Sequence, residues 1–155
     1  MLMIFAGIAL CLFAIDMVLK YAIEERLEEK EERPILGGKV LIRRVHNEGA
    51  CLNVFQKYPD KVMWSSVVLG ILLLIYDGVL LLRRGHFLEK FAMMLFTGGA
   101  FSNIADRVVR GYVLDYIGFK TKWPKLTRIT YNIGDFGIFT GAILICLTEI
   151  FRGKH

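Results

Sequence analysis

Histidine and cysteine are scarce in this chain, and their placement excludes several kinds of site. None of the three histidines stands in an H-E-x-x-H helix and all are far apart, so a zinc protease is not expected. They are His46, His86 and His155. An odd, scattered set of three cysteines argues against a disulfide framework. There is also no internal repeat or low-complexity linker, so we predict one domain over residues 1–155.

The composition is that of a membrane protein. Of 155 residues, 55% are hydrophobic and the mean hydropathy is +0.47, which is too apolar for a soluble domain with a single core. Crossing the hydrocarbon takes roughly 20 apolar residues. Four segments meet that length: 2–19, 62–82, 87–105 and 133–151. The third is the weakest because Glu89, Lys90 and Asn103 interrupt it. We predict an all-α membrane fold with four transmembrane helices.

The first segment is expected to remain as an anchor. It lacks a basic n-region and a small-x-small cleavage site, and it contains Asp16, unlike a cleavable signal peptide. Four spans would place both termini on one side of the membrane. Loops 20–61 and 106–132 hold 9 and 6 of the 20 Lys and Arg residues, against 5 on the other face. This count leaves the orientation open and leans against termini inside.

The two long loops differ in kind. The charge run 24–33 is interpreted as a solvated extension of the first helix, with Glu29 and Arg33 paired at helical spacing. After Pro34, the run 39–45 is rich in branched residues and predicts a small β element on the membrane surface. The second loop alternates basic with apolar residues between 120 and 129, around Trp123, which favours an interfacial segment against anionic headgroups.

Polar residues converge where the long loops meet the spans. Asp16 and Lys20 share one face of the first span at i,i+4 spacing, which predicts an ion pair. The third and fourth spans carry similar polar faces, and Asp115 lies on their connection. Those faces hold Asn103, Asp106 and Arg107, and Asn132 and Asp135. An acidic residue in or beside a span is a candidate functional group, and two suggest shared-proton chemistry.

Structural interpretations compete at single positions. Asn132 could cap the last helix with Asp135 at its third position, and Asp106 with Arg107 could be a local pair. Gly98-Gly99-Ala100 is read as a close-packing surface between helices. Asp77 is expected to extend toward Arg84, outside any site. Ser102 has only a distant lysine, Lys90, to deprotonate it, so a Ser–Lys mechanism is disfavoured.

Five local motifs, in order, resemble those of the lipoprotein signal peptidases, also called signal peptidase II, which are bacterial intramembrane aspartyl proteases. The resemblance covers nearly the whole chain. The motifs are Asp16-x-x-x-Lys20, Asn47-Glu48-Gly49-Ala50, Gly98-Gly99-Ala100 through Asn103 to Asp106-Arg107, Val113-Leu114-Asp115-Tyr116 and Tyr131-Asn132-Ile133-Gly134-Asp135. The chain departs from the family pattern at Cys51-Leu52-Asn53, and it has Ser102 and Gly134 where Gly and Ala are usual. Tyr131 replaces a usual Phe.

The resemblance implies an activity and a site. Asp115 and Asp135 would be the catalytic pair, cutting a prolipoprotein before its diacylglyceryl-modified cysteine without metal or cofactor. The remaining motif residues would bind substrate or support the pair: Asn47, Gly49, Asn103, Arg107, Asn132, Asp16, Lys20 and Asp106. It also implies a protein of the bacterial cytoplasmic membrane with cytoplasmic termini and a site near the outer face. We expect a monomer with lipids as partners and no nucleic acid.

Two other hypotheses remain from the residues alone. The chain could bind lipidated peptides without cutting them. It could also be a small proton-coupled transporter using Asp16, Asp77 and Asp135.

Overall fold

The computed structural model describes residues 2–29, 31–50 and 54–152, which form long helices and a small antiparallel sheet. Three of the four long helices are long and apolar enough to cross a membrane, and they are α1, α2 and α5. The long helices are α1 (Leu2–Arg26), α2 (Pro59–Leu82), α3 (Phe87–Arg110) and α5 (Ile133–Arg152). The short elements are β1 (Glu32–Ile35), β2 (Val40–Asn47), β3 (Val113–Phe119), α4 (Pro124–Thr127) and β4 (Thr130–Tyr131).

Helix α3 forms the centre of the bundle. It packs against α1, α2 and α5, and it buries polar residues at both of its ends. Those residues lower its hydropathy, so α3 is not among the three spans found by length and composition. The sequence prediction of a mostly helical fold built on apolar helices is confirmed.

Glycines allow α3 to approach its neighbours closely. A Cβ built on Gly98 would lie 2.6 Å from the carbonyl oxygen of Ala9 in α1. A Cβ on Gly99 would overlap the carbonyl oxygen of Gly134 in α5. The predicted close-packing surface is therefore confirmed, since backbone meets backbone on both sides of α3.

We expect Gly99→Ala to destabilise the fold by about 1–3 kcal/mol, because the added methyl group meets a backbone atom that cannot turn away. Thermal unfolding in detergent measures the loss. Gly78→Ala is the matched control, since a Cβ there has nothing within 4 Å. Equal melting temperatures for the two variants would contradict the packing described for Gly99.

The sheet has the order β1-β2-β3-β4, and every neighbouring pair is antiparallel. The predicted β run 39–45 is confirmed as β2. The prediction for the charge run is wrong, since α1 ends at Arg26 and Arg33 belongs to β1. Arg33 contacts Glu31 at 2.6 Å instead of Glu29. Residues 32–35 pair with β2 as strand β1, so the chain leaves the helix before them. The i,i+4 spacing of Glu29 and Arg33 carries no information about this pairing with a distant segment.

One other side chain lies where the sequence did not predict it. Asp77 is buried and accepts a hydrogen bond from Thr97 Oγ1 at 2.6 Å, so its predicted extension toward Arg84 is wrong. The reason is that the Asp77 side chain faces α3, where the Thr97 hydroxyl is its hydrogen-bond donor. In the second loop, Trp123 is 70% exposed and the neighbouring lysines are also exposed.

Candidate active site

The Lys20 ammonium lies at the centre of a fully buried polar cluster. It contacts Asp16 Oδ2 at 2.9 Å, which confirms the predicted ion pair, and Asp106 Oδ2 at 3.0 Å. It also donates to Ser102 Oγ and Asn103 Oδ1, both at 3.0 Å. One cation therefore compensates two buried carboxylates and ties α1 to α3. A buried carboxylate without such a partner is very costly.

Asp106 connects this cluster to the strand that carries Asp115. Its Oδ2 accepts a hydrogen bond from the backbone N–H of Leu114 at 3.0 Å, next to Asp115. Its Oδ1 pairs with Arg110 at 2.8 Å. Asp106 thus pairs with Lys20 and Arg110, and it fixes the start of β3 against α3.

Arg107 links α3 to the loop after β2. Its Nη2 donates to the carbonyl oxygen of Gly49 at 3.0 Å, and its Nη1 donates to the carbonyl oxygen of Asn103 at 3.2 Å. Its Nε is buried and has no hydrogen-bond partner in the described part of the chain. Arg107 also borders the cavity beside the aspartates. Cys51, Leu52 and Asn53, which follow in this loop, lie outside the described residues.

Asn132 and Asp135 form a reciprocal cap at the start of α5. The Asn132 Oδ1 accepts from the backbone N–H of Asp135 at 2.9 Å, and the Asn132 N–H donates to Asp135 Oδ2 at 3.1 Å. The capping interpretation is therefore confirmed. Asn132 does more than cap, because its Nδ2 donates to Asp115 Oδ1 at 2.7 Å.

Three asparagine amides point at the aspartates, and an obligatory donor fixes the orientation of each. A backbone N–H or an ammonium can only donate, so the amide oxygen must face it and the NH2 group must face away. The oxygen of Asn47 faces the N–H of Gly49 at 3.1 Å. The oxygen of Asn103 faces Lys20, and that of Asn132 faces the N–H of Asp135. These donors therefore fix the positions of the oxygen and the NH2 group in all three amides.

Each of the four carboxylate oxygens consequently accepts one hydrogen bond. Asp115 accepts from Asn47 Nδ2 at 3.1 Å and from Asn132 Nδ2 at 2.7 Å. Asp135 accepts from Asn103 Nδ2 at 2.9 Å and from the backbone of Asn132 at 3.1 Å. The two aspartates come from different elements, β3 and α5, yet share one set of amide donors.

Burial makes the Asp115 carboxyl a weaker acid than an ordinary aspartate. Desolvation, followed by the nearby charge of Asp135, raises the pKa of Asp115 to about 7. The amides of Asn47 and Asn132 and the charge of Lys20 act in the opposite direction. Near neutral pH the pair can therefore hold one proton between two carboxyl groups, which is the protonation state that general acid–base chemistry needs.

An apolar cavity of about 590 Å³ lies beside the two aspartates, which both line it. Its walls come mainly from α2, α3 and α5, with Leu69, Phe96 and Ile138 among the lining side chains. This volume is in the range of small-molecule pockets. The two aspartates therefore form an acid–base pair at the wall of a mostly apolar cavity.

A second, smaller cavity of about 300 Å³ reaches the site from the sheet. It shares Asn47, Asp115, Ile129 and Thr130 with the first cavity, and Val45, His46 and Arg128 complete its lining. Asp115 is therefore approached from two directions.

Sequence reasoning missed two hydroxyl groups beside the site. Ser102 Oγ donates to Asp16 Oδ2 at 2.5 Å, and the Tyr116 hydroxyl donates to Asp16 Oδ1 at 2.8 Å. From the sequence, Tyr116 was identified only as a motif position, and Ser102 only as a departure from the family pattern and a disfavoured nucleophile. The prediction that Lys90 is the only lysine available to Ser102 is wrong, because Lys20 Nζ donates to Ser102 Oγ at 3.0 Å. The alternation of side chains along a strand predicts that Tyr116 and Asp115 point to opposite faces of β3. No sequence pattern identifies Asp16 as the hydrogen-bond partner of Tyr116.

The sequence of the chain is similar to those of known proteins. The profile of the family described as Signal peptidase (SPase) II matches residues 8–151. The chain is 31% identical to the lipoprotein signal peptidase of Ralstonia nicotianae, over 96% of this chain and 85% of that protein. It is 30% identical to the lipoprotein signal peptidase of Moorella thermoacetica, over 92% and 89%.

A solved structure described as a bacterial membrane enzyme has the same fold. It superposes with a TM-score of 0.82 at 23% identity, covering 94% of this chain and 87% of that one. Because the profile spans almost the entire chain, the sequence comparison shows more than a shared fold: the protein belongs to the signal peptidase II family of proteases.

Proposed function

We propose that the protein is an aspartyl endopeptidase that removes the signal peptide from diacylglyceryl-modified prolipoproteins, cutting before the lipidated cysteine. The observation that carries this proposal is the pairing of Asp115 and Asp135 at the wall of the apolar cavity, with one hydrogen-bond donor on each carboxylate oxygen. Its similarity to lipoprotein signal peptidases supports the choice of substrate.

The reaction needs one proton on the pair. Asp135, at the N-terminus of α5, carries the negative charge and takes a proton from the attacking water. Asp115 carries the single proton that the pair holds at rest and donates a hydrogen bond to the scissile carbonyl oxygen. That oxygen becomes negative as the water oxygen attacks the carbon. The tetrahedral intermediate then collapses, and the leaving nitrogen takes a proton from the pair.

Substrate enters sideways from the bilayer. Several apolar side chains that line the cavity are also exposed on the outside of the helices, including Leu69 at 64%, Leu72 at 56% and Phe139 at 43%. The cavity wall is thus continuous with the surface that faces hydrocarbon. An acyl chain could pass from one to the other without crossing water, while the peptide reaches the aspartates.

We infer that α3 is the fourth span, with both termini cytoplasmic and the site near the outer face of the bacterial cytoplasmic membrane. Its apolar stretch is short, but its inward polar groups have protein partners, as Thr97, Ser102 and Asn103 illustrate. A satisfied polar group is tolerated inside a membrane bundle. The exposed basic segment around Trp123 then rests on anionic lipid headgroups, and one chain supplies the complete site.

Cleavage of a defined precursor in lipid tests the function. The purified protein is given a diacylglyceryl-modified prolipoprotein and the same precursor without the lipid. We expect release of the signal peptide from the modified precursor only, because the apolar cavity has no ligand in the unmodified one. No release by well-folded protein would favour the noncatalytic, lipoprotein-binding alternative.

We expect kcat/KM to fall about tenfold per pH unit as the pH rises through about 7, because Asp115 must keep its proton in the free enzyme. A pH profile of signal-peptide release measures this limb. Protonation of Asp115 also favours the folded state, since its folded pKa exceeds the ordinary 3.8. That contribution to stability is complete below about pH 4 and is lost through about pH 7. Melting temperatures across the same range separate unfolding from loss of the catalytic proton, and a flat profile to pH 9 would contradict the assignment.

Asp77→Asn separates the peptidase from the transporter hypothesis. Asparagine has the same shape as aspartate, and its amide oxygen can accept the hydrogen bond from the Thr97 hydroxyl. Asp77 is also not among the residues that line the cavity. We therefore expect cleavage to stay within about threefold of wild type, as for substitutions away from the reacting groups. A proton carrier that uses Asp77 would stop working. Loss of cleavage in a well-folded Asp77→Asn variant would require a role for this residue in the reaction.

A further inference from the structure

Tyr116 connects three elements directly behind the two aspartates. It follows Asp115 in β3, points to the opposite face of the strand and is only 3% exposed. Its hydroxyl donates to Asp16 Oδ1 in α1 at 2.8 Å. The same oxygen accepts a hydrogen bond from the backbone N–H of Ile133, the first residue of α5, at 3.2 Å. The mechanism above uses none of these contacts.

The Ile133 N–H is one of the free donors at a helix start, which need partners from outside the helix. Asn132 satisfies the N–H of Asp135, and Tyr116 satisfies that of Ile133. Tyr116 therefore completes the cap of α5 from the strand that carries Asp115. Burial and the charge of Asp16 raise the pKa of Tyr116 above its usual range, so the hydroxyl keeps its proton and stays a donor to Asp16.

Building on the proposed function, we propose that the Tyr116 hydroxyl is a positioning group that sets the separation of Asp115 and Asp135 by tying the start of α5 to Asp16. Asp115 and Asp135 lie on separate elements, so their separation depends on ties between β3 and α5. Asn132 is one tie, because it bonds to both aspartates. Tyr116 is the second tie, and it anchors α5 to the Lys20 cluster through Asp16.

Tyr116→Phe removes the hydroxyl and keeps the ring. We expect kcat to fall about tenfold with KM within about twofold, because misplaced reacting groups slow the chemical step more than they weaken binding. The alkaline limb should move to lower pH, since a more distant Asp135 raises the pKa of Asp115 less. Site-resolved titration of the Asp115 carboxyl in the same proteins reads this shift without cleavage.

Two variants isolate the contact. Tyr112→Phe removes a hydroxyl that donates to Glu24 Oε1 at 2.8 Å, outside the site, and should leave kcat and the limb unchanged. Ser102→Ala removes the other hydroxyl on Asp16 but no contact with α5, so it should lower thermal stability without moving the limb.

Three outcomes are distinguishable. A lower kcat and a shifted Asp115 titration in Tyr116→Phe alone support the proposal. Unchanged values in Tyr116→Phe overturn it, and so does an equal shift in Ser102→Ala, because the effect would then come through the charge of Asp16. Absence of cleavage by the wild type would defeat the proposed function, while the titration would still decide whether Tyr116 sets the spacing of the aspartates.

Discussion

Asp115→Asn and Asp135→Asn are each expected to lower signal-peptide release by about 10²–10⁴-fold, the usual contribution of a general acid or base. Asparagine can neither take the proton of water nor give one to the leaving nitrogen. Both positions should be affected because one proton is shared between them. Initial rates of cleavage in lipid, with the lipid-modified precursor, provide the measurement.

The stability of these variants separates chemistry from folding. Asp115→Asn removes a carboxylate whose ionised form burial makes costly, but it sets an NH2 group against one of the amides of Asn47 and Asn132, so the variant should fold with a stability close to that of wild type near neutral pH. Asp60→Asn, at an exposed position in the first turn of α2, is the matched control and should retain full activity. Inactive Asp115→Asn protein that had also lost its thermal transition would point to a structural role instead.

Lys20→Met is expected to destabilise the protein by about 3–5 kcal/mol, because it leaves Asp16 buried without a countercharge and leaves Asp106 with Arg110 as its remaining cationic partner. Methionine keeps most of the apolar part of the side chain and removes the ammonium group. Activity should also fall, by about 100-fold, since the Asn103 amide loses the donor that orients it toward Asp135. Thermal unfolding and cleavage rates report the two effects.

The control for Lys20→Met is the same exchange at Lys122, which is exposed in the second loop. Lys122→Met should melt within about 0.5 kcal/mol of wild type, as surface substitutions usually do. If the two exchanges lowered stability and cleavage equally, the basic loop would matter as much as the buried cluster, and the positioning role given to Lys20 would be wrong.

Patterns confined to one segment were predictable from the sequence. Long apolar runs indicated α1, α2 and α5, and i,i+4 spacing indicated the pair of Asp16 and Lys20. A run rich in branched residues indicated β2. These features depend on helix and strand periodicity, which any short window of sequence contains.

Contacts between distant segments were not predictable in the same way. The end of the charge run became a turn and an edge strand because Arg33 pairs with Ile42 of β2, nine residues further along the chain. The partners of Lys20 in α3 and the tie from Tyr116 to Ile133 depend on how α1, β3 and α5 are arranged in space. The family resemblance named the residues of the site, but it did not supply their hydrogen-bond directions.

The neighbourhood of Asp16 Oδ2 also restricts the routes by which this sequence can change. The Ser102 hydroxyl lies 2.5 Å from that oxygen, and a Cβ on Gly134 would lie 3.0 Å from it. These are two positions at which the chain departs from the usual Gly and Ala of the family. A methyl group at 134 would crowd a carboxylate that Ser102 already holds in place.

The order of substitution should therefore matter. Ser102→Gly first frees Asp16 to move, so Gly134→Ala then meets less resistance from Asp16 and retains only its contacts with Asn132 Oδ1 and the Gly99 carbonyl oxygen, whereas the reverse order meets all three. The two sites are coupled through one oxygen atom, so their effects should not add.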